Sequence, residues 1–213
     1  MLNSWMTFGE MKSSYERNNR SKTMKALRCF PVCKESGHTS SGFCGSSLDV
    51  SLYVEIDELS PNCHLFDSFW MNDVLFLAEI KCASELAEER IISKVEIDSR
   101  IRTKEAKCNP YLRGNVVSVE TSISEEMHQI KKVNVSFNLE HKAWHYGWIS
   151  HKCSSDTSHV VDVLVLVEND TMVDYFFLAA SFHSPEFIIM STKTGRQKKD
   201  QGQIASVDEN TVS

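Results

Sequence analysis

Residues 160–193 read VVDVLVLVENDTMVDYFFLAASFHSPEFIIMSTK and contain the densest run of apolar and β-branched side chains in the chain. Turn-forming residues interrupt the run at Glu168–Thr171 and again at Ser184-Pro185. Apolar segments of this length, bounded by such residues, are typical of strands. The stretch therefore predicts three strands near residues 161–167, 175–181 and 187–191, which we expect to form the closing meander of a sheet.

The rest of the chain carries further strand patterns and few helical ones. Alternating or continuous apolar segments occur at residues 49–57, 69–82, 92–101, 115–121 and 132–140. Ser84 can cap a short helix over residues 84–92, and Ser122 and Glu125 have capping-box spacing for a helical turn before Ile130. Because these helical segments are too few and too short for crossovers, we predict an all-β fold, an antiparallel immunoglobulin-like β-sandwich with one or two short helices and flexible termini.

Composition divides the chain into three parts. Residues 1–47 are rich in Ser, Asn, Cys and basic side chains and lack periodicity, which predicts a flexible, loosely packed basic arm. Residues 48–193 hold the strand patterns and make up the predicted sandwich domain. Residues 194–213 are first basic and then polar, which predicts a disordered tail.

The net charge of −6 over 213 residues is distributed unevenly. Residues 1–35 carry +4 and residues 191–213 carry +1, so the body between them carries −11. Such a body favours contact with nucleic acid through the ends and selected loops rather than through the whole surface. The chain has no apolar run of the roughly 20 residues that span a bilayer and no secretory signal pattern, so we expect an intracellular protein without membrane contact.

Four potential metal ligands lie close together in the arm: Cys29, Cys33, His38 and Cys44. Three thiols and an imidazole can bind zinc tetrahedrally. The segment resembles a zinc knuckle in Phe30, Gly37 and the spacing from Cys33 to His38, but its first and last gaps are each one residue longer. The interpretation that we favour from sequence is reduced cysteines in an arm, since the seven cysteines of a chain without a secretion signal suit free thiols. Zinc is the alternative.

Two basic segments are candidates for nucleic-acid contact. The first surrounds the turn at Asn109-Pro110 and contains Arg100, Arg102, Lys104, Lys107 and Arg113. The second follows the last predicted strand and contains Lys193, Arg196, Lys198 and Lys199. Such side chains can anchor on phosphates. The alternatives are a solvated connection for the first segment, and a nuclear localisation signal or a solubilising end for the second.

The order of strand pair, Ser/Pro corner, last strand and basic tail resembles the C-terminal end of immunoglobulin-like transcription-factor domains of the Rel and Runt kind. The matching segments are residues 161–167, 175–181, 187–191 and 193–199. In those families, loops at one end of the sandwich and the C-terminal basic segment contact DNA. The resemblance therefore implies a DNA-contacting role for the basic tail.

These observations lead to two functional hypotheses. The first is a nuclear DNA-binding β-sandwich that regulates transcription. The second is a cytoplasmic or nuclear adaptor or scaffold, which binds a protein partner through its acidic faces or edge strands. The chain has no phosphate-cradling Gly-rich loop, no Gly-x-Ser-x-Gly and no His-Glu-x-x-His, so we do not expect an enzyme.

Overall fold

A computed structural model describes residues 3–18, 26–39, 43–56, 74–85, 91–101, 111–124, 128–141, 144–145, 157–168 and 174–190. These residues form twelve strands, one α-helix and a 3₁₀ turn at Ala83–Glu85. The strands are β1 (Ser4–Phe8), β2 (Ser14–Asn18), β3 (Ala26–Leu27), β4 (Leu48–Ile56), β5 (Val74–Cys82), β6 (Ile91–Ser93), β7 (Leu112–Ile123), β8 (Gln129–Phe137), β9 (Trp144–His145), β10 (Ser158–Glu168), β11 (Tyr175–His183) and β12 (Phe187–Met190). The helix, α1, spans Lys94–Ile101. The predicted all-β class is confirmed.

The strands form one open sheet in the order β1-β4-β8-β7-β5-β10-β12-β2-β3-β9, with β11 paired to β10 and β6 paired to β11. The sheet curls, so that side chains from distant strands share one core. Val50 and Val135, from the β4–β8 half, belong to the same buried cluster as Ala78 and Val163 from the β5–β10 half. Burying the apolar inner faces of the two halves against each other is the main source of stability that the structure shows.

Strand β10 is the centre of the fold because both of its faces are covered. Val161, Val163 and Val165 belong to the main core. Leu164 and Leu166 point the other way and form a second core with Ile97 of α1. A strand buried on both faces reads as a continuous apolar run rather than an alternating one, as residues 160–167 do.

The predicted strands within residues 160–193 are confirmed, but the predicted meander is wrong. Strand β12 does not pair with β11; it pairs antiparallel with β10 and parallel with β2. The Ser184-Pro185 corner causes this return, because the Ser184 amide donates to the Val161 carbonyl (3.0 Å) and the Ser184 hydroxyl accepts from the Val161 amide (2.9 Å). The corner therefore attaches to β10, and β12 continues beside it.

The predicted strand over residues 92–101 is wrong beyond Ser93, because an α-helix follows there. The two predicted helices lie partly outside the described residues, at 86–90 and 125–127. Their described parts belong to the 3₁₀ turn at Ala83–Glu85 and to the strands β6, β7 and β8. The α-helix begins at Lys94, where the Ser93 hydroxyl accepts a hydrogen bond from the Glu96 amide (3.1 Å) as a helix cap. Ile97 and Ile101 are four residues apart, a spacing that suits a helix face as well as it suits a strand. Between β7 and β8 the Ser124 amide donates to the His128 carbonyl, and the Ser124 hydroxyl accepts from the His128 amide.

The arm before Leu48 is more ordered than predicted wherever the structure describes it. Strand β1 pairs with β4 and strand β2 pairs with β12. Tyr15, Leu27 and Phe30 are buried in the main core together with Trp144. Residues 3–18, 26–39 and 43–47 therefore contribute strands and core side chains, because aromatic side chains between the polar ones reach the core. The division of the chain into three parts stays a prediction.

Within the described ranges, α1 is the only α-helix, and the search for a helix long and apolar enough to cross a membrane finds none.

Candidate metal centre

The loop of residues 28–46 leaves β3 and returns the chain to β4. We call it the ligand loop. Within it, Cys33 and Gly45 lie opposite each other in an isolated antiparallel bridge. The Lys34 amide donates to the Cys44 carbonyl across this bridge (2.9 Å). Two potential ligands, Cys33 and Cys44, are therefore held on adjacent backbone segments before any metal is considered.

Three residues with unusual backbone requirements shape the ligand loop. Gly45 needs to be glycine, because a Cβ there would lie 2.0 Å from the Phe30 carbonyl oxygen. Gly37 has φ +87°, and its amide donates to the Lys34 carbonyl (2.8 Å), so the chain turns sharply just before His38. Cys29 also has a positive φ, of 56°, at the point where the chain leaves β3. Left-handed backbone of this kind is uncommon for residues other than glycine and marks tight local geometry.

These turns bring all four ligand atoms within 4.8 Å of one another. Cys29 Sγ lies 3.2 Å from His38 Nδ1 and 3.3 Å from Cys44 Sγ. Cys44 Sγ lies 3.5 Å from the same ring nitrogen. Cys33 Sγ is 3.9 Å from both His38 Nδ1 and Cys44 Sγ.

The geometry and the chemistry of the four ligand atoms fit zinc. With zinc–sulfur bonds of about 2.3 Å and a zinc–nitrogen bond of about 2.0 Å, the edges of a ligand tetrahedron are about 3.5 to 3.8 Å long. Five of the six separations, at 3.2 to 3.9 Å, bracket these values. The sixth, between Cys29 and Cys33, is within 4.8 Å. Three thiols and one imidazole are also the Cys₃His set of structural zinc sites. Among the described residues, no other group of three or more Cys, His, Asp or Glu side chains clusters in a way that could hold a metal.

The electrostatics of the cluster favour deprotonation of one thiol. Burial by itself raises the pKa of Cys44, but hydrogen bonds from the Thr39 backbone, from Cys29, Cys33 and His38 outweigh it and lower the pKa to about 6. Burial and the neighbouring thiols raise the pKa of Cys29 to about 12. In the absence of metal the cluster therefore holds one thiolate that its neighbours stabilise by hydrogen bonds. A divalent cation would replace those protons, since thiolate is the form that binds metal.

The second nitrogen of the His38 ring faces a cation. His38 Nε2 lies 3.4 Å from Nη2 of Arg28, the residue just before Cys29. The same Arg28 Nη2 donates to the Thr39 carbonyl (3.0 Å). A guanidinium is therefore held against the outer edge of the imidazole that faces the three sulfurs.

A cavity of about 330 Å³ opens beside this pair. It is lined by Lys12, Ser14, Tyr15, Glu16, Arg28, Cys29, His38 and Met190. The Tyr15 hydroxyl positions one wall, since it donates to the Pro31 carbonyl (2.9 Å) and accepts from the Lys12 amide (2.7 Å). Burial raises the pKa of Tyr15 to about 12, so the hydroxyl keeps its proton. Met190 lies here because β12 pairs with β2, and it is the last described residue before the basic tail.

The structure brings the four predicted metal ligands together, and it describes the backbone of two of the nine predicted nucleic-acid contacts, Arg100 and Arg113. Arg113 is exposed on β7, opposite Leu77 of β5, and Arg100 lies in α1 rather than in a loop. The other predicted contacts lie outside the described residues: Arg102, Lys104, Lys107, Lys193, Arg196, Lys198 and Lys199. Sequence reasoning did not single out Lys12 and Arg28. Arg28 could have been noticed from its place next to the first ligand, whereas Lys12 reaches the site only through strand pairing.

A second polar cluster also went unnoticed, because it lies within apolar strands. Lys81 Nζ contacts Asp162 Oδ2 at 2.7 Å and Glu79 Oε1 at 2.8 Å. Both carboxylates are almost fully buried, with side-chain exposures of 2% for Glu79 and 0% for Asp162. Ser181 donates to the other oxygen of Asp162 (2.5 Å), and His183 lies 3.5 Å from it. Because the lysine has both carboxylates as neighbours, we interpret the cluster as structural.

Comparison of the chain with protein-family models, with curated proteins and with solved structures finds no match. The likeness to Rel and Runt domains therefore stays a prediction, and the site has to be interpreted from its own geometry.

Proposed function

We propose that the protein is a zinc-containing β-domain that binds duplex DNA and regulates transcription. The observation that carries the proposal is the convergence of Cys29, Cys33, His38 and Cys44 next to Arg28. The zinc would have a structural role, since four protein ligands complete its tetrahedral shell and leave no open position for a substrate. It would tie the arm, through β3 and the ligand loop, to the start of β4.

The surroundings of the centre support phosphate contact at this end of the sheet. Lys12 and Arg28 line the cavity beside the centre, and the described chain ends next to them at Met190. In the sequence, Lys193, Arg196, Lys198 and Lys199 follow within nine residues of Met190. Arginine and lysine side chains supply the sequence-independent part of DNA affinity. The acidic body makes a single basic end the favoured contact surface.

The finer parts of the fold and the cellular location belong to the same proposal. The shared core of the two sheet halves supports an immunoglobulin-like sandwich, which an experimental structure of the zinc-loaded protein would test by its strand order. A transcription regulator has to be nuclear. A fluorescent fusion should concentrate in the nucleus and lose that concentration when the four basic tail residues are changed to Ala; a diffuse cytoplasmic signal from the unchanged protein would argue for the alternative location.

The first experiment combines metal analysis with DNA binding. Purified protein should contain about one zinc per chain, and Cys44→Ala should lose it. The zinc-loaded protein should bind duplex DNA more weakly as salt rises. In a plot of log affinity against log salt concentration, the slope should be about 0.9 in magnitude for each phosphate contacted. Combined replacement of Lys193, Arg196, Lys198 and Lys199 by Ala should lower that slope by about 3.6, if each contacts one phosphate.

Two results would count against the proposal. Protein that is free of metal and stays free after incubation with zinc would remove the metal centre. A salt slope near zero, or no binding at low salt, would remove the DNA function while leaving the metal centre in place. Arg113→Ala separates the predicted contacts: it should lower the slope by about 0.9 if β7 also contacts phosphate, and leave it unchanged if only the metal end does.

A second candidate function, binding of a protein partner, is favoured by β7. Its residues Gly114–Ile123 pair with β8 on one side, while among the described residues only Leu112 and Arg113 pair with β5 on the other. Val116, Val117, Val119 and Ile123 are exposed along this free edge. An edge with open backbone groups and apolar side chains can accept an extended segment as an added strand. The body charge of −11 would favour a basic segment.

The edge can be tested against an equally exposed residue elsewhere. Val117, in the irregular part of β7, and Val95, on α1, are 65% and 76% exposed. Val117→Lys should weaken binding of a basic extended partner that survives nuclease treatment, whereas Val95→Lys should not. Equal effects of both changes, or loss of the partner on nuclease treatment, would argue against the edge.

A further inference from the structure

The contact between Arg28 and His38 changes its chemical character once zinc is bound. In the geometry of the loop, His38 Nδ1 is the ring nitrogen that faces the three sulfurs. Zinc on Nδ1 of a neutral imidazole places the remaining ring proton on Nε2. The Nε2–H group is then a donor, and the Arg28 guanidinium 3.4 Å away has donors only.

Two donors that face each other need a common acceptor. Histidines bound to metals donate their other N–H group to a carboxylate, a carbonyl or water, and this partner fixes the ring. The Thr39 carbonyl accepts from Arg28, and no contact links it to His38 Nε2. The adjoining cavity, which both residues line, gives access to an acceptor that could serve both groups.

We propose that this acceptor is a phosphate oxygen of the bound nucleic acid, which receives hydrogen bonds from the Arg28 guanidinium and from Nε2–H of zinc-bound His38. The inference rests on the proposed DNA function and assigns that function a specific contact. Charge-assisted hydrogen bonds from a guanidinium to phosphate are among the stronger polar contacts in proteins. Lys12 and Ser14, on the same cavity wall, supply further donors.

The charges around the cavity decide how strongly the phosphate is held. Zinc with three thiolates and a neutral imidazole carries one net negative charge, which Arg28 offsets. Lys12 adds one positive charge, and Glu16, the carboxylate that lines the cavity, adds one negative charge. The cavity is therefore close to neutral, and Glu16 opposes the phosphate. Replacing Glu16 by Gln should strengthen phosphate binding.

The same geometry links zinc to DNA. Without metal, His38 Nε2 can accept a hydrogen bond from Arg28, so the pair satisfies itself. With zinc, the nitrogen becomes a donor and the pair is completed by an anion. Because binding free energies are reciprocal, DNA should then raise the affinity for zinc by the same factor by which zinc raises the affinity for DNA.

The test measures affinity for a short duplex DNA by fluorescence anisotropy, with zinc-loaded protein and zinc content determined for every variant. Arg28→Ala should weaken binding by about tenfold and lower the salt slope by about 0.9. Glu16→Gln should strengthen binding by about threefold to tenfold. Lys131→Ala, which removes one positive charge from β8 at the end far from the ligand loop, is the matched control and should change affinity by about twofold at most.

His38→Cys separates the metal from the hydrogen bond. A Cys sulfur is bonded directly to Cβ and makes a longer bond to zinc than nitrogen does, so a Cys₄ site can keep the metal while the Nε2–H donor is lost. The variant should retain zinc and bind DNA about threefold to tenfold more weakly. If it fails to fold, Arg28→Ala and Glu16→Gln still decide the question.

The outcomes are distinguishable. If the wild-type protein binds DNA but Arg28→Ala and His38→Cys bind equally well, the phosphate site is wrong and the DNA function stands. If Glu16→Gln weakens binding or releases zinc, Glu16 is the partner of His38 and the site is again wrong. If the wild-type protein does not bind DNA, the proposed function fails. Inorganic phosphate is then added while the ¹⁵N resonance of His38 Nε2 is observed: a shift that Arg28→Ala abolishes would replace nucleic acid by a phosphorylated protein as the occupant, and no shift would remove the site entirely.

Discussion

The ligand loop and the strand pair β5–β10 are held in place by different means. Residues 159–167 of β10 are all buried, and both faces of the strand meet apolar side chains. In the ligand loop, His38 is exposed and Cys29 and Cys33 are only partly buried. The strand pair is stabilised by removing apolar area from water along its whole length, whereas the loop is anchored in the core at Phe30 and its ligand atoms depend on a few turns. The part of the molecule with the most specific chemistry is therefore also the more exposed of the two.

Removal of zinc should have the largest effect and should be confined to the loop. Zinc binding contributes about 10 kcal/mol or more in small zinc domains, where it is also folding free energy. Chelation at pH 7 should greatly increase amide exchange over residues 28–39 and 43–46, while residues 159–167 remain protected. Hydrogen exchange with mass spectrometry measures both regions in one sample. Loss of protection in β10 as well would mean that the two regions are one cooperative unit.

Breaking the ionic cluster should have the next largest effect, on the strand pair alone. Lys81→Met removes the cation between two buried carboxylates and should lower the free energy of unfolding by about 3 to 5 kcal/mol. Urea denaturation of the zinc-loaded protein measures the change, and zinc content should stay the same. Lys94→Met is the matched control, since it breaks the exposed pair with Glu168, and it should cost at most about 1 kcal/mol.

The same cluster predicts a dependence on alkaline pH. Burial lowers the pKa of Lys81, but hydrogen bonds and charge interactions with Asp162 and Glu79 outweigh it and leave the pKa above 10.5. A group whose pKa is higher in the folded state contributes stability that is complete below the unfolded pKa and is lost as pH rises through the folded pKa. The difference in unfolding free energy between wild type and Lys81→Met should therefore shrink above about pH 10.5. An unchanged difference at that pH would show that Lys81 does not lose its proton there.

Leu164→Ala should destabilise the strand pair somewhat less. Leu164 is 2% exposed and packs in the second core beneath α1. Cavity formation at such a site should lower the free energy of unfolding by about 3 kcal/mol. Thermal unfolding followed by circular dichroism would report the change. A concurrent fall in zinc affinity would contradict the separation of the two regions.

Gly45→Ala should have the smallest effect and should act on the loop. The added Cβ would lie 2.0 Å from the Phe30 carbonyl oxygen, so the bridge between Cys33 and Gly45 has to open. Such overpacking costs about 1 to 3 kcal/mol, which corresponds to a loss of zinc affinity of about tenfold to a hundredfold. Competition with a chromogenic chelator measures the zinc affinity of the variant. Gly37→Ala is the companion variant: its Cβ meets no atom within 4 Å, so any effect would come from the positive φ alone.

Sequence periodicity identified the strands whose burial sets a clear apolar pattern. It failed where the spacing of apolar residues suits both a strand and a helix. The segments that became β4, β8 and β10 were predicted because alternation or continuous apolar character reflects burial directly. Residues 94–101 were predicted as strand because their apolar positions alternate, yet Ser93 caps a helix there and Ile97 completes the second core. The decision between the two needed the position of α1 over β10, which no local pattern contains.

The candidate site shows a similar division. The residue types and approximate spacing of Cys29, Cys33, His38 and Cys44 were visible in the chain, but the gaps differ from the zinc-knuckle pattern, so spacing alone favoured free thiols. The tertiary structure brings these ligand atoms together, because the positive φ at Cys29 and Gly37 and the bridge at Gly45 absorb the extra residues.

The sequence by itself determined that the chain folds as β-structure around residues 160–167, since a β-branched apolar run of that length has to be buried. It also determined that the two ends are basic and the body is acidic. Only the tertiary structure decided that β12 returns beside β2 and that Arg28 lies against His38. The pairing of β12 with β2 depends on backbone hydrogen bonds that no side-chain pattern records. The Arg28–His38 contact depends on the turns that bring two side chains ten residues apart together.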